Sequence, residues 1–384
     1  MSHNNTVFSQ LLKLIPRHEF ESMSHDHHHG QKLRKTRRWS QCVALMLGQL
    51  SGRRSLRDIE SNMRAQSKRL YHLGADPIAR SSLARLNQQQ PHTLYEALFA
   101  KLYARCQGLA PGHGFRFKNK LYSLDASLID LSLKIFPWAH YALGKAAMKL
   151  HVSLDHAGTL PHFAAITEGK VTDIEIGRTL NYRPGSIVVF DKGYTDYNWF
   201  KSLNSKGIFF VTRIRLNAIW HVDERRPVDT SKGLTSDHTI TLTGIKPQRL
   251  GLPQLRRIGF RDPETGKHYE FLTNNFSLSA QTIAEIYKQR WQVELFFKWI
   301  KQNLKINSFL GNSKNAILTQ IWISLCTYLL LAYLKFCAKL NLSLQSILRI
   351  LQLNLFIRRD LLALLRGDPP DRDSTPGGGQ LVLL

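Results

Sequence analysis

Four polar side chains on one short stretch could together bind phosphate groups and a metal ion. Between positions 287 and 301 stand Tyr287, Arg290, Glu294 and Lys301, at offsets of 0, 3, 7 and 14 residues. On a helix of about 100° per residue, these offsets lie within an arc of about 60°. A carboxylate can bind a divalent cation, while a phenol and two cations can hold phosphates around it. The spacing therefore predicts a helix face suited to metal-assisted phosphodiester chemistry.

Two aspartates on predicted strands could complete a metal site with Glu294. Asp125 lies in the alternating segment YSLDAS, and Asp191 ends the apolar segment VVFDKGY. Phosphodiester chemistry of this kind uses two ions about 4 Å apart, one at the attacking oxygen and one at the leaving oxygen. Mg²⁺ suits the task because it prefers oxygen ligands and keeps positions for water and phosphate. Each acid alone is weak evidence, because other aspartates compete. These are Asp130, Asp155 and Asp173.

The charge balance predicts a polyanionic partner. The 384 residues carry 53 Lys and Arg against 28 Asp and Glu, a formal net charge of +25. Residues 1–120 hold 20 of these basic residues and 7 of the acidic ones. The excess favours nucleic acid, although ribosomal and membrane-surface proteins can be equally basic. The chain is also long enough for two or three domains.

One apolar segment is long enough to cross a membrane, but its composition favours a core helix. Asn315–Leu334 has 20 residues without a charge, interrupted by Thr319, Gln320, Ser324 and Thr327. We therefore expect a buried helix and no membrane partner. The polar N-terminus lacks the apolar stretch of a signal peptide, and the four dispersed cysteines fit reduced thiols. Together these features predict a cytoplasmic protein.

Two short helices in the basic N-terminal part could read DNA in the manner of a helix-turn-helix. They are predicted near Ser55–Arg64 and Ser82–Gln89. The second helix carries side chains that can reach base edges. These are Arg85, Asn87, Gln88 and Gln89. The roughly 17 residues between the helices are long for that motif. An ordinary helical domain with a solvated face is an equal alternative.

The order of predicted elements places the acids in a mixed-sheet α/β domain. After a glycine-bearing linker, strand-like segments alternate with short helices, and Thr-, Gly- and Pro-containing segments follow before helical patterns resume. The predicted domains are a helical DNA-binding domain (1–110), a first part of the core (118–214), a β-rich insertion (215–277), a second part of the core with C-terminal helices (278–366) and a disordered tail (367–384).

Taken together, the motifs resemble those of the IS4 family of DDE transposases, encoded by bacterial insertion sequences. SLDAS around Asp125 resembles the first-Asp strand of that family, and DKGY (Asp191–Tyr194) resembles its D-[KR]-G-Y motif. The pattern Y-x2-R-x3-E-x6-K, which ends at Lys301, matches its third motif without a gap. The acids occur in the family's order, and the similarity covers roughly residues 120–335.

This resemblance implies a fold and a reaction. The fold would be an RNase H-like mixed sheet with a β-rich insertion, preceded by a small helical DNA-binding domain. The protein would bind the terminal inverted repeats of an insertion sequence. Water would attack at the element's end to free a 3′-OH, which then attacks the opposite strand to form a hairpin, or target DNA. Asp125, Asp191 and Glu294 would ligate Mg²⁺ or Mn²⁺, as two ions.

The resemblance also implies contacts with double-stranded DNA, both element ends and target. Phosphates beside the scissile bond would be held by Tyr287, Arg290, Lys301, Lys192 and Tyr194. Trp291 could stack on an unpaired or flipped base, with a core position on the opposite flank of the helix as an equal alternative. Trp220 is a weaker stacking candidate. A homodimer would join two element ends in a synaptic complex, in a nucleoid-associated bacterial protein.

Three other functions share parts of this pattern. A non-transposing DNA-binding protein derived from such an enzyme would keep the fold without turnover. A structure-selective nuclease would use the same acids and metal ions but would show no preference for terminal repeats. A basic structural nucleic-acid binder would bind DNA without metal-dependent cleavage.

Overall fold

The computed structural model describes residues 5–369, apart from residues 32, 34–35, 143–144, 305 and 307–308. Its helices are α1 (Val7–Leu12), α2 (Arg17–Asp26), α3 (Arg38–Leu50), α4 (Leu56–Ala65), α5 (Ser67–Leu70), α6 (Arg80–Gln89), α7 (Thr93–Gln107), α8 (Asp173–Thr179), α9 (Tyr197–Ser205), α10 (Ile245–Leu250), α11 (Ala280–Gln289), α12 (Trp291–Asn303), α13 (Lys314–Cys337), α14 (Leu344–Asn354) and α15 (Leu361–Arg366). Its strands are β1 (Leu121–Leu131), β2 (His140–Ala142), β3 (Lys145–Asp155), β4 (Leu160–Glu168), β5 (Ile187–Phe190), β6 (Phe209–Arg213), β7 (Trp220–Arg226), β8 (Leu234–Leu242), β9 (Leu255–Arg261) and β10 (His268–Thr273).

These elements group into two compact units. One unit contains Met1–Leu109 and Ile300–Leu384, and the other contains Ala110–Trp299. The C-terminal helices α13 to α15 thus group with the N-terminal helices, although the sequence suggested that they continue the core. The domain boundaries themselves stay a prediction. The expected disordered tail falls, from residue 370 onwards, outside the described residues.

The helical unit is built around α13, which packs against α3, α6, α7 and α14. This helix is long and apolar enough to cross a membrane, with a mean hydropathy of 1.7, yet 89% of its apolar window is buried in the protein. Two of its hydroxyl groups donate to carbonyl oxygens of the same helix: Ser324 Oγ to Gln320 at 2.9 Å and Thr327 Oγ1 to Ile323 at 2.8 Å. The expected buried core helix is therefore confirmed.

The two predicted DNA-reading helices correspond to α4 and α6, which pack against each other. Ser55 caps α4 by accepting a hydrogen bond from the Asp58 amide at 3.1 Å. On α6, the expected base-reading residue Asn87 is instead a core residue, only 4% exposed. Its Oδ1 accepts a hydrogen bond from Gln41 Nε2 at 2.7 Å. Its side chain is therefore unable to reach a base edge, whereas Arg85, Gln88 and Gln89 are exposed.

The other unit is built on one ten-stranded sheet in the order β2-β3-β1-β5-β6-β10-β9-β8-β7, with β4 paired to β3. Strands β1, β3 and β4 pair antiparallel, whereas β5 and β6 run parallel to β1. Strands β7 to β10 extend the same sheet as antiparallel neighbours. The expected fold class, an RNase H-like mixed sheet with a β-rich insertion after a helical region, is confirmed.

Apolar side chains cover both faces of the central strands. Phe190 of β5 packs with Trp199 of α9 on one face. Its neighbour Val189 packs with Ile283 of α11 on the other face. Successive residues of a strand alternate between faces, so a side chain one position beyond Phe190 lies on the α11 side. This alternation decides where the acids point.

Candidate active site

The register of the parallel strands sets Asp125 beside Asp191. The pairing of β1 with β5 ends at Leu124 opposite Phe190. The next residue on each strand is an aspartate, and residues at one level of parallel neighbours share a face. Both acids therefore lie on the α11 side of the sheet.

The next strand adds an arginine to this row. Strand β6 pairs with β5 so that Val211 lies opposite Val189, which places Arg213 level with Asp191. Arg213 Nη2 donates to Asp191 Oδ1 at 2.7 Å. Arg213 was not predicted from the sequence, although it ends β6 much as Asp191 follows the end of β5. Its role becomes visible only when the strand order is known.

Arg290 connects the third acid, Glu294, with Asp125. One of its nitrogens, Nη1, lies 2.9 Å from Asp125 Oδ2 and 3.6 Å from Glu294 Oε1. Tyr287 Oη donates to Asp191 Oδ1 at 3.3 Å. The structure thus brings together six residues where the pairing of β1 with β5 ends. Five of them were predicted from the sequence, and the sixth is Arg213.

The expected single helix from Tyr287 to Lys301 is wrong. Helix α11 ends at Gln289 and α12 begins at Trp291, so Arg290 lies at a junction. There the Arg290 amide donates to the Tyr287 carbonyl oxygen at 3.0 Å, an i to i−3 bond that tightens the turn. The arc of about 60° that contains the four side chains was worked out for one unbroken helix. It therefore does not apply across this junction. Tyr287 and Glu294 instead approach the sheet from two helices.

The acids differ in their electrostatic surroundings. Burial raises the pKa of Asp125 to about 7, and the nearby Glu294 carboxylate adds to this effect while Arg290 opposes it. Burial alone would also raise the pKa of Asp191, but the hydrogen bond and charge of Arg213 hold it below its ordinary value. Burial raises the pKa of the Tyr287 hydroxyl to about 12, so it stays a hydrogen-bond donor at neutral pH.

The donor set fits a divalent cation in type, because it offers three carboxylates and oxygen is the ligand that Mg²⁺ prefers. Within the described ranges, no three His, Cys, Asp or Glu side chains form a group that could hold one ion. Instead, Arg290 contacts Asp125 and Glu294, and Arg213 contacts Asp191. The two arginines supply positive charge at the carboxylates, the charge that a bound cation would also supply.

An aromatic cavity opens beside these residues. It has a volume of ≈ 260 Å³. Its lining is Arg213, Phe260, Asp262, Tyr269, Phe271, Ala284, Tyr287, Lys288, Arg290 and Trp291. Trp291 is 58% exposed, so the alternative that it is a core residue is wrong. Exposed rings beside cations can stack on nucleobases.

Two residues of the DKGY motif have different surroundings. Lys192 is exposed on the 3-10 turn Lys192–Tyr194 that follows Asp191, as a phosphate contact requires. Tyr194, also expected to bind phosphate, is only 2% exposed. Its ring packs with Phe190 and Trp199 in the core under the sheet. The phosphate role of Tyr194 is therefore wrong, and the tyrosine serves packing.

The remaining sequence-predicted residues lie farther along the chain. Lys301 is half-buried on α12, two turns beyond Glu294 and past the last residue of the sheet unit. Trp220 begins β7, packs partly into the core, and lies under the guanidinium of Arg257 at 5.1 Å. Its position is that of a packing residue of the insertion.

Comparison with known proteins identifies the family of this chain. The family profile described as the transposase DDE domain matches residues 117–330, which include all three acids. A second profile, described as a domain of unknown function (DUF4372), matches residues 3–76. The structure also has similarity to a cryo-EM structure of the piggyBac transposase synaptic complex with hairpin DNA. That similarity has a TM-score of 0.45 and 11% identity, over 97% of this chain and 81% of that one.

Relatives from three bacteria carry transposase names. A Sinorhizobium fredii protein, y4zB, is 34% identical over 294 residues, which are 75% of this chain and 80% of that protein. A Geobacillus stearothermophilus protein of the insertion sequence IS5377 is 29% identical, over 66% of this chain and 67% of its own length. A Synechocystis protein of the insertion sequence IS4SA is 26% identical, over 61% of this chain and 65% of its own length. The chain therefore belongs to the DDE transposases of insertion sequences.

Proposed function

We propose that this transposase binds the terminal inverted repeats of its element and catalyses metal-dependent strand cleavage and strand transfer. The observation that supports this most is the convergence of three acids. Asp125 and Asp191 lie side by side on neighbouring parallel strands, and Glu294 of α12 shares Arg290 with Asp125. Arg290 pairs with Asp125 and Glu294, and Arg213 pairs with Asp191. Carboxylates from three separate elements have no shared structural task that explains this convergence, whereas metal-assisted phosphodiester chemistry needs it.

Each acid has a defined task in this proposal. Transposase DDE domains use divalent metal ions. We assign Asp125, Asp191 and Glu294 as ligands of Mg²⁺ or Mn²⁺, two ions in all. Bound there, the metal would supply Lewis-acid stabilisation of a phosphodiester and a more acidic water. The three carboxylates would hold and orient it, and the hydrogen bond from Arg213 keeps Asp191 ionised.

The cations around the acids are suited to hold DNA. A guanidinium has five N–H donors, so Arg290 can contact Asp125 and still donate to a phosphate oxygen. Lys192 is exposed beside Asp191, and the Tyr287 hydroxyl is a donor. We assign these three residues and Lys301 to the DNA backbone near the scissile bond. A backbone contact positions the duplex without reading its sequence.

The aromatic cavity fits a base taken out of the duplex. Trp291 presents an exposed ring at its edge, with Lys288 and Arg290 beside it. Stacking on such a ring is worth about 1–3 kcal/mol per base and tolerates any base. We assign Trp291 to an unpaired or flipped base at the element's end.

We assign recognition of the terminal repeat to α4 and α6 of the helical unit. The exposed face of α6 carries Arg85, Gln88 and Gln89, whose side chains can pair with base edges in a major groove. A neighbouring cavity of ≈ 540 Å³ has three arginines in its lining. These are Arg54, Arg57 and Arg80. Arginines spaced in this way bind phosphates and would fix the register of the helix on the duplex.

As a transposase, the chain acts on DNA. The proposal includes double-stranded element ends and target DNA as its two substrates. It also includes a homodimer that joins two ends in a synaptic complex, and a cytoplasmic, nucleoid-associated location in a bacterium.

The experiment that tests this proposal is cleavage of a labelled duplex carrying the element's own end. Wild type and Asp191→Ala are compared with Mg²⁺ or EDTA. We expect nicking at the element end with Mg²⁺ only, and its loss in Asp191→Ala. A duplex of the same length and base composition without the repeat is the matched substrate control. Equal cleavage of both duplexes would instead indicate a structure-selective nuclease, and tight binding without cleavage would indicate a non-transposing DNA-binding protein.

A further inference from the structure

The turn between β6 and β7 presents one fully exposed aliphatic side chain. Leu216 is 99% exposed, at the tip of a turn in which the Ala218 amide donates to the Arg215 carbonyl oxygen at 3.0 Å. Before the turn, Ile214 is buried and its amide donates to the Glu270 carbonyl oxygen at 3.0 Å. After the turn, Ala218 packs against the core under the sheet. Anchored on both sides, the turn holds Leu216 out in solvent.

This turn lies beside the candidate active site. Arg215 Nε donates to the Lys192 carbonyl oxygen at 3.4 Å, which links the turn to the loop after Asp191. Between the two lies an open groove of ≈ 390 Å³. The groove is lined by Asp191, Lys192, Gly193, Arg215, Leu216 and Asn217. Leu216 is therefore an apolar group on the rim of a groove that contains one of the proposed metal ligands.

The charges around this groove favour a duplex as its occupant. Lys192 and Arg215 both line the groove, and both are exposed. Two cations can contact successive phosphates of a strand, while an aliphatic side chain between them meets the bases. Proteins that bend or kink DNA insert Leu, Ile, Met or Phe side chains between base steps. Leu216, an apolar side chain held in solvent at a groove that two cations also line, has the features of such an insert.

We propose that Leu216 is a wedge that enters the base stack beside the scissile phosphodiester and unstacks that step. This inference rests on the proposed function, because it assumes that the scissile phosphate lies at Asp191. The wedge would open the duplex at the point where the three carboxylates must reach the backbone. Leu216 would thus be a positioning residue, which acts on the shape of the DNA and not on the reacting atoms.

Unstacking can be measured without cleavage. Duplexes of the element's end carry 2-aminopurine at one position each across the cleavage site, and wild type is added in EDTA. We expect the fluorescence to rise at one step with wild type and with Leu216→Met, which keeps an apolar side chain. The rise should be lost with Leu216→Ser. Ile219→Ser is the matched control, because Ile219 is exposed on the same turn but does not line the groove.

Cleavage provides the second readout. With Mg²⁺, Leu216→Ser should cleave the intact duplex roughly 10- to 100-fold more slowly than wild type, because the phosphate is misplaced. A duplex with an abasic site at the unstacked step should restore its rate towards that of wild type. Equal fluorescence and equal cleavage by wild type and Leu216→Ser would overturn the wedge.

The two proposals fail in different ways. Wild type that unstacks the step but never cleaves would contradict the proposed catalysis and still support the wedge. Slow cleavage by Leu216→Ser that the abasic duplex does not restore, together with loss of a dimer in sedimentation, would overturn the wedge. Leu216 would then contact a second copy of the chain.

Discussion

Asp125 and Asp191 lie side by side where the pairing of two neighbouring parallel strands, β1 and β5, ends. The last pair between these strands is Leu124 with Phe190, and the next residue of each chain segment is the aspartate. A shift of one residue would turn one carboxylate to the opposite face of the sheet. The apolar residues before each acid are buried, and their burial fixes that register. Packing on both faces of the sheet therefore sets the geometry of the candidate active site.

The first prediction concerns the acid on α12. Glu294→Gln should reduce Mg²⁺-dependent cleavage of the element's end at least about 100-fold, because an amide is a neutral and poorer metal ligand. Binding to the same duplex, measured by fluorescence anisotropy in EDTA, should stay close to that of wild type. Glu285→Gln is the control, since Glu285 is exposed on α11. Normal cleavage by Glu294→Gln would remove it from the proposed metal site.

The second prediction tests metal binding without turnover. Mn²⁺ should raise the unfolding temperature of wild type, because a ligand at 100 times its Kd stabilises the folded state by about 2.7 kcal/mol. Asp125→Asn should lose most of this rise. Asp130→Asn is the matched control, because Asp130 is exposed on the same strand at odd spacing from Asp125. An equal rise in all three proteins would place the bound metal elsewhere.

The sequence located the acids because each stands at a change of pattern. Asp125 interrupts an alternating strand, Asp191 ends an apolar one, and Glu294 belongs to a spaced motif. Because the flanking residues are buried, they are apolar, and a change in this pattern can be recognised in the sequence. Arg213 carries a similar signal, at the end of β6, but its meaning depends on β6 lying next to β5. Strand order is a tertiary property, so residue spacing could not supply it.

Two predictions from the sequence were wrong for a common physical reason: the single helix through Arg290 and the phosphate-binding role of Tyr194. Arg290 and Tyr194 both have surroundings that are supplied in part by residues far away in the chain. At Arg290, the guanidinium reaches Asp125, 165 residues away in sequence. Tyr194 packs on Trp199 and Phe190 and belongs to a buried cluster that also contains Leu124 of β1. Helix periodicity and motif identity report local preference, and tertiary contacts overrode it at both positions.

The third prediction concerns Arg213, which the sequence did not reveal. Arg213→Ala should slow cleavage roughly 10- to 100-fold, because Asp191 loses the donor that orients it and keeps its pKa low. Arg213→Lys should retain part of the rate, since an ammonium keeps the charge but not the planar fork. Arg225→Ala removes the same charge from an exposed site on β7 and serves as the control. The rates are measured on the labelled element end. A wild-type rate for Arg213→Ala would show that Asp191 needs no such support.

The fourth prediction separates base reading from phosphate binding in the helical unit. Arg85→Ala should weaken binding to the element's end by about 1–3 kcal/mol while leaving binding to unrelated DNA nearly unchanged. Arg57→Ala should weaken binding to both duplexes and reduce the slope of log K against log salt by about 1. Both are measured by anisotropy over a range of salt concentrations. If Arg85→Ala weakens both duplexes equally, α6 contacts the backbone and does not read the repeat.

The fifth prediction is a loss of stability in acid caused by a buried histidine. His151 of β3 is fully buried, with Nε2 2.9 Å from Thr167 Oγ1. Burial lowers the pKa of His151 to about 4, an effect that Asp173 partly opposes and Lys149 reinforces.

In the unfolded chain, the pKa of a histidine is about 6.5, so the unfolded state binds the proton first as the pH falls. The contribution of His151 to the free energy of unfolding is therefore complete above about pH 6.5 and is lost progressively down to about pH 4. The loss should amount to about 3 kcal/mol, at 1.36 kcal/mol per pKa unit. Urea unfolding, followed by tryptophan fluorescence from about pH 4 to about pH 8, measures this loss of unfolding free energy. His151→Gln keeps a side chain able to reach Thr167 but does not titrate, so its stability should fall less over this interval. The same decline in both proteins would assign the acid sensitivity to other groups, of which the half-buried His156 is the first to test, since burial also lowers its pKa to about 4.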